Sequence, residues 1–199
     1  GAPLGAGAGV VLLLHGRNAG PRNILDLMPR LARPDLTFVA PAAADGTWYP
    51  KSFMAPRAEN EPWLASALTA VARAVAEIEA RGVAPSRIVV GGFSQGACLA
   101  SEFVFRRPRR YGGLLAFSGG LIGEPGTTWD VGPRLDGLPV FLGCSDVDAH
   151  VPRVRVEESA GVFAGMGADV DVRIYPGMGH LVNDDEIAAA QALLARLDG

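Results

Sequence analysis

The stretch Ile88-Val89-Val90-Gly91-Gly92-Phe93-Ser94-Gln95-Gly96-Ala97-Cys98-Leu99-Ala100 decides the fold. It begins as a β-branched apolar strand, passes through Gly-x-Ser-x-Gly, and resumes as a helix start. A serine at such a sharp strand-to-helix turn stands above a sheet. The flanking glycines let the backbone pack tightly around it, and the helix N-terminus favours negative charge nearby. Gly-x-Ser-x-Gly alone is a weak signal: with 26 glycines in 199 residues, chance gives about 0.13 matches. The strand before it and the helix after it remove most of that risk.

Outward from this turn, short apolar runs alternate with helical patterns. The runs are Val10–Leu14, Leu36–Ala40, Ile88–Val90, Leu114–Phe117, Val140–Leu142 and Val170–Tyr175. The first five are almost continuously apolar, as parallel strands covered on both faces are. The last alternates apolar with charged residues and reads as a strand nearer the sheet edge. Apolar stripes at helical spacing occupy Ile24 to Leu31, Leu64 to Ile78 and Ile187 to Leu197. Asn60 is the expected cap of the second and Gly82 its end. Asn183 is the expected cap of the third, followed by three acids in the first turn. The alternation predicts one α/β domain over residues 1–199, with a mostly parallel central sheet and helices on both faces. Residues 41–62 and 119–137, rich in Gly, Pro and aromatics, follow strand ends, where a doubly wound sheet carries its ligand site. They are the expected pocket walls.

Composition excludes several classes. Hydrophobic residues make up 49% and charged residues 20%, globular values. A domain of this length buries roughly 70% of the surface its unfolded chain exposes. The net charge of −3 provides no basic excess for nucleic acid. Cys98 and Cys144 lack CxxC spacing, so neither a disulfide framework nor a thiolate metal site is expected, and reduced thiols suit the cytoplasm. No HxxxH spacing suggests a metal. Val10–Leu14 is too short to span a bilayer, and no signal-peptide pattern is present, though whether a leader precedes Gly1 stays open. Gly5-Ala6-Gly7-Ala8-Gly9 precedes a strand, the wrong side for a dinucleotide loop.

A serine hydroxyl needs a base. His180, in Tyr175-Pro176-Gly177-Met178-Gly179-His180, falls in the loop after the last strand, where a triad base lies in the chain order Ser, acid, His. His15 ends the first strand and is read as shaping the adjacent loop; His150 is read as peripheral. The acid should follow Val140–Leu142, where Asp146 and Asp148 both qualify and spacing does not separate them. Oxyanion donors are expected from the Gln95 backbone N–H and from the loop His15-Gly16-Arg17-Asn18, through the Arg17 N–H. Trp48, Tyr49, Phe53 and Met54 cluster without a helical or strand period. They are read as a substrate-contacting pocket wall, with Trp129 facing them across the cleft.

His15-Gly16 after a strand, GFSQGA at 92–97, Asp148-x-x-Val151-Pro152 and PGMGH at 176–180 together resemble the phospholipase/carboxylesterase family of α/β-hydrolases, over nearly the whole chain. That family includes bacterial carboxylesterases and acyl-protein thioesterases. The resemblance implies an α/β-hydrolase fold without a separate cap domain and a Ser94–His180–Asp148 triad, with the acid three residues before Val-Pro. It also implies oxyanion donors at Arg17 and Gln95 and no cofactor. The chain departs from many members at Gly16-Arg17-Asn18-Ala19, where they have Gly-Leu-Gly-Asp. It also departs at Trp48-Tyr49-Pro50, where they have an Asp third. The N-terminal antiparallel strands common in that fold are expected to be short or absent. The expected activity is hydrolysis of small or short-chain carboxylic esters through an acyl-enzyme. The alternatives are a thioesterase or lysophospholipase for long acyl chains and a non-catalytic ligand-binding relative. The expected partner is a small-molecule ester, with no nucleic acid and no stable membrane insertion, and with a homodimer left open.

Overall fold

All six apolar runs form strands in the computed structural model, which describes residues 1–5 and 7–198. Within the Gly5–Gly9 stretch, Ala6 lies outside the described residues. The strands are β1 (Val10–Leu14), β2 (Thr37–Val39), β3 (Ile88–Phe93), β4 (Gly113–Phe117), β5 (Pro139–Ser145) and β6 (Asp169–Tyr175). The helices are α1 (Pro21–Leu25), α2 (Met28–Leu31), α3 (Arg57–Asn60), α4 (Trp63–Ala80), α5 (Gln95–Arg106), α6 (Arg153–Gly165) and α7 (Asp184–Ala195). The sheet runs β2-β1-β3-β4-β5-β6, and every pairing is parallel.

Side chains alternate along each strand, so each buried strand feeds two cores. Val10, Leu12, Leu14, Val90, Leu114 and Leu142 face α4, α5 and α6. Val11, Leu13, Val89, Leu115, Phe117 and Phe141 face α1, α2 and α7. A three-layer α/β/α architecture follows, and no separate cap domain is evident among the described residues. Strand order reverses between β1 and β3. The crevice at their C-terminal ends is therefore the topological switch point, where ligands bind in such sheets. β6 lies at the edge, as expected, but the exposure does not follow its alternation: Asp169 and Asp171 are exposed, and so is Val172, while Arg173 is half-buried.

Two local expectations need correction. The 24–31 stripe forms two short helices, because Pro29 lacks the N–H that would continue α1 and instead sits in the first turn of α2. Asn60 does not cap α4, whose N-cap position is Pro62. Asn60 is fully buried in α3, where its side chain accepts from the Lys51 N–H at 2.8 Å and donates to the Ser52 carbonyl at 2.9 Å. Gly82 does follow the end of α4 in the left-handed conformation, φ +84°. One inward position of α6 is Arg155, fully buried and tied to the carbonyls of Leu121 and Gly123. No helix among the described residues is long and apolar enough to cross a membrane.

The start of α7 forms a full capping box. Asn183 Oδ1 accepts from the Glu186 N–H at 2.8 Å, and Glu186 Oε2 accepts from the Asn183 N–H at 2.9 Å. Glu186 Oε1 is buried over Gly143 with no hydrogen-bond partner among the described residues. Burial pushes this carboxyl up to about 7, against the lowering effect of the Asn183 N–H. Between the ordinary value of 4.5 and about 7, the folded protein holds a proton that the unfolded chain releases. This contribution is therefore present below pH 4.5 and is lost as pH rises through about 7. Glu186→Gln should gain stability relative to the parent as pH rises from 5 to 8, by about 2–3 kcal/mol at about 1.36 kcal/mol per unit. Urea denaturation of both proteins across that range measures it, and a constant difference would contradict the assignment.

Candidate active site

Ser94 sits between β3 and α5 with φ 56° and ψ −121°, a left-handed-side conformation that a non-glycine residue seldom adopts. Its N–H donates to the Phe117 carbonyl at 2.9 Å, and its carbonyl accepts from the Cys98 N–H at 3.0 Å, so both strand and helix hold the turn. The glycines on either side are required by contact. A Cβ on Gly92 would meet the Gly96 backbone, and one on Gly96 would collide with the carbonyls of Leu14 and His15. α5 thus begins directly over the end of β1.

Ser94 lines a cavity of about 1110 Å³ that it shares with Gly16, Arg17, Gln95, His150 and His180. His180 Nδ1 lies 2.6 Å from Asp148 Oδ2, and its ring packs on Phe93, 4.7 Å between centroids. The Asp148 side chain is fully buried and that of His180 is 20% exposed. Burial alone would raise the Asp148 carboxyl. The hydrogen bond from His180 and those from the His150 and Val151 N–H groups outweigh it and hold the group below the usual carboxylate range. Asp146, the other candidate, is directed elsewhere: its Oδ1 accepts from the Gly177 N–H at 2.8 Å and braces the loop that carries His180.

Arg17 and Gln95 lie on the cavity, and among the described residues neither backbone N–H donates a hydrogen bond. Their side chains organise the wall instead. Arg17 donates to the carbonyls of Pro50 at 2.9 Å and Lys51 at 2.6 Å. Gln95 accepts from the Trp48 N–H at 3.0 Å and donates to the Tyr49 carbonyl at 2.8 Å. His15 is buried, takes the Ala43 N–H on Nε2 and donates from Nδ1 to the Gly16 carbonyl. It shapes the loop and stacks on Trp48, 4.9 Å between centroids.

The aromatic wall divides. Tyr49 and Phe53 line the cavity. Trp48 does not: it is buried in the core, and its indole N–H donates to the His15 carbonyl at 2.9 Å. Met54 packs at the core margin. No residue of 119–137 lines the cavity, because Arg155 draws the start of that segment down onto α6. Trp129 lies over the same guanidinium at 5.0 Å, away from the cleft. The opposite wall went unread in the sequence: Asn23 and Ile24 from α1, Leu27 between the two helices and Arg30 from α2, with Leu181 and Val182 beyond His180. Its only signal was a stripe that also reads as core. Trp48→Ala should cost about 3–5 kcal/mol, as for a buried Trp. It should also lower turnover of short and long esters together; a chain-length profile shifted toward long esters at unchanged Tm would place Trp48 on the substrate.

Comparisons with known proteins agree with this architecture. The family model described as Phospholipase/Carboxylesterase matches residues 3–197. The crystal structure of a phospholipase/carboxylesterase from Dyadobacter fermentans superposes with a TM-score of 0.92 at 39% identity, covering 98% of this chain and 93% of that one. The crystal structure of esterase PE8 superposes at 0.80 with 27% identity, covering 98% and 94%. Acyl-protein thioesterase 1 of Gibberella zeae is 34% identical over 118 residues, 58% of this chain and 50% of that protein. The chain spans about half the length of the first curated relatives it matches. With its parallel sheet, its serine at the strand–helix turn and a match over nearly its full length, the chain belongs to the phospholipase/carboxylesterase family of α/β-hydrolases.

Proposed function

We propose that the protein hydrolyses carboxylic esters through an acyl-enzyme, with Ser94 as nucleophile, His180 as base and Asp148 as the acid that orients the base. The observation that carries this reading is the 2.6 Å contact between His180 Nδ1 and Asp148 Oδ2, on a loop that opens into the Ser94 cavity. With Nδ1 donating to Asp148, His180 Nε2 is left to accept the serine proton. Ser94 Oγ attacks the ester carbonyl, and the N–H groups of Arg17 and Gln95 receive the developing oxyanion. The imidazolium, stabilised by Asp148, returns its proton to the leaving alcohol. Water then repeats the sequence and releases the acid.

Small or short-chain acyl esters are the favoured substrates, because connections of the domain itself wall the cavity and no separate cap is evident among the described residues. A second reading, a thioesterase or lysophospholipase for long acyl chains, is favoured by three observations. The cavity of about 1110 Å³ exceeds the usual few hundred to about 1,000 Å³ of a small-ligand site. Its α1–α2 wall offers four apolar side chains, Ile24, Leu27, Leu181 and Val182, beside Asn23 and Arg30, and the Gibberella zeae relative is named a thioesterase. p-Nitrophenyl esters of rising chain length separate the two: kcat/KM should fall beyond short acyl groups on the first reading and keep rising on the second.

Ser94→Ala should lower kcat by on the order of 10⁴ to 10⁶, about 5–8 kcal/mol of transition-state stabilisation, and abolish labelling by a fluorophosphonate. Turnover within tenfold of the parent would end the serine mechanism. Absence of labelling in the parent would favour a non-catalytic ligand-binding relative. Asp148→Asn should lose on the order of 10²-fold or more activity than Asp146→Asn, since only a carboxylate at 148 meets the ring. Equal losses, measured as kcat on one short ester, would remove Asp148 from the triad.

A further inference from the structure

The cavity around Ser94 carries cations and no acids. Arg17, Arg30 and Lys51 line it, and none of its lining residues is Asp or Glu, although the chain has 21 acids and a net charge of −3. We infer that the ester taken by this site bears a carboxylate, held at the rim by the Lys51 ammonium. The inference rests on the ester-hydrolase reading for the reaction and on the cavity alone for the binding.

The three cations are not equivalent. Arg30 pairs with Asp184 at 2.8 Å and also donates to the Val182 carbonyl. Arg17 directs its guanidinium to the Pro50 and Lys51 carbonyls. Among the described residues, Lys51 has no carboxylate within ion-pair distance. It is also the chain's one lysine; the other 17 of the 18 cationic side chains are arginine. A compact ammonium on a flexible stem acts as a point charge for an anionic group that reaches it.

The side chain is exposed but its backbone is fixed. The Lys51 N–H donates to Asn60 Oδ1 at 2.8 Å, and Asn60 is fully buried. The Lys51 carbonyl accepts from Arg17 Nη2 at 2.6 Å, and Asn60 also holds the Ser52 carbonyl. Residue 51 is thus anchored from α3 on one side and from the residue that offers an oxyanion N–H on the other. A neutral ester leaves this charge merely hydrated. A carboxylate in the substrate gains its attraction at a position set by the same loop that shapes the cavity. At the exposed rim the gain is modest and is screened by salt.

Two matched ester pairs test it. Ethyl hydrogen adipate against ethyl hexanoate puts the charge on the acyl side; 4-butyryloxybenzoate against its methyl ester puts it on the alcohol side. At low ionic strength the kcat/KM ratio of charged to neutral ester should exceed one in at least one pair. That ratio should fall about fivefold or more in Lys51→Met, recover in Lys51→Arg, and decline in 0.5 M salt, where the screening length is about 4 Å. A ratio at or below one in both pairs, or a ratio unchanged in Lys51→Met, overturns the inference. Binding of adipamic acid and hexanamide by the native protein, followed by calorimetry, needs no turnover. Tighter adipamic acid binding that Lys51→Met removes supports the inference, and equal binding overturns it. Loss of ester turnover on every substrate would instead count against the hydrolase reading.

Discussion

Among the described glycines, Gly96 leaves the least room for a side chain, at the point where α5 crosses the end of β1. No side chain fits there, because its first carbon would occupy the position of the Leu14 carbonyl. This contact fixes the angle at which α5 leaves β3 and holds Ser94 in its positive-φ conformation. It also brings the residues after β1 beside those after β3, and so creates the crevice at the switch in strand order. Everything in the site is measured from that crossing.

On one side of the crossing, a chain of polar contacts fixes the wall. Gln95 follows the serine, and its carboxamide holds the backbone of Trp48 and Tyr49. Arg17 follows the first strand and holds Pro50 and Lys51, while Asn60 holds Lys51 and Ser52 from below. Five consecutive residues are thus positioned by three side chains. Two of those side chains belong to the residues whose N–H groups are proposed as the oxyanion donors. The wall and the donors therefore cannot move independently, which is how a site becomes preorganised.

On the other side, two acids two residues apart divide the work. Asp146 braces the His180 loop at Gly177, while Asp148 meets the ring and is itself held by the N–H groups of His150 and Val151. A carboxylate with a buried side chain needs such donors to remain charged, since desolvation opposes them. The capping box of α7 begins three residues after His180 and closes the loop from its far end.

Period and punctuation made the sheet, the strand–helix turn, the Asn183 cap and the positions of Ser94 and His180 legible in the sequence, because each depends on neighbours a few residues away. The choice between Asp146 and Asp148 was not legible from spacing. Both follow β5, and only the path of the loop decides which carboxylate reaches the ring. Trp48 and Tyr49 are adjacent in a segment without a period, and both are buried in the core, yet only Tyr49 also lines the cavity while Trp48 packs on His15. Asn60 looks like a cap, but tertiary contacts claimed its side chain for residues 51–52. Residues 119–137 look like a pocket wall until the buried Arg155 pulls them onto α6. Local hydrogen bonding and hydrophobic period are written in the chain. The partner of a polar side chain in an aperiodic loop is set only when distant segments are brought together, and there the tertiary structure alone decided.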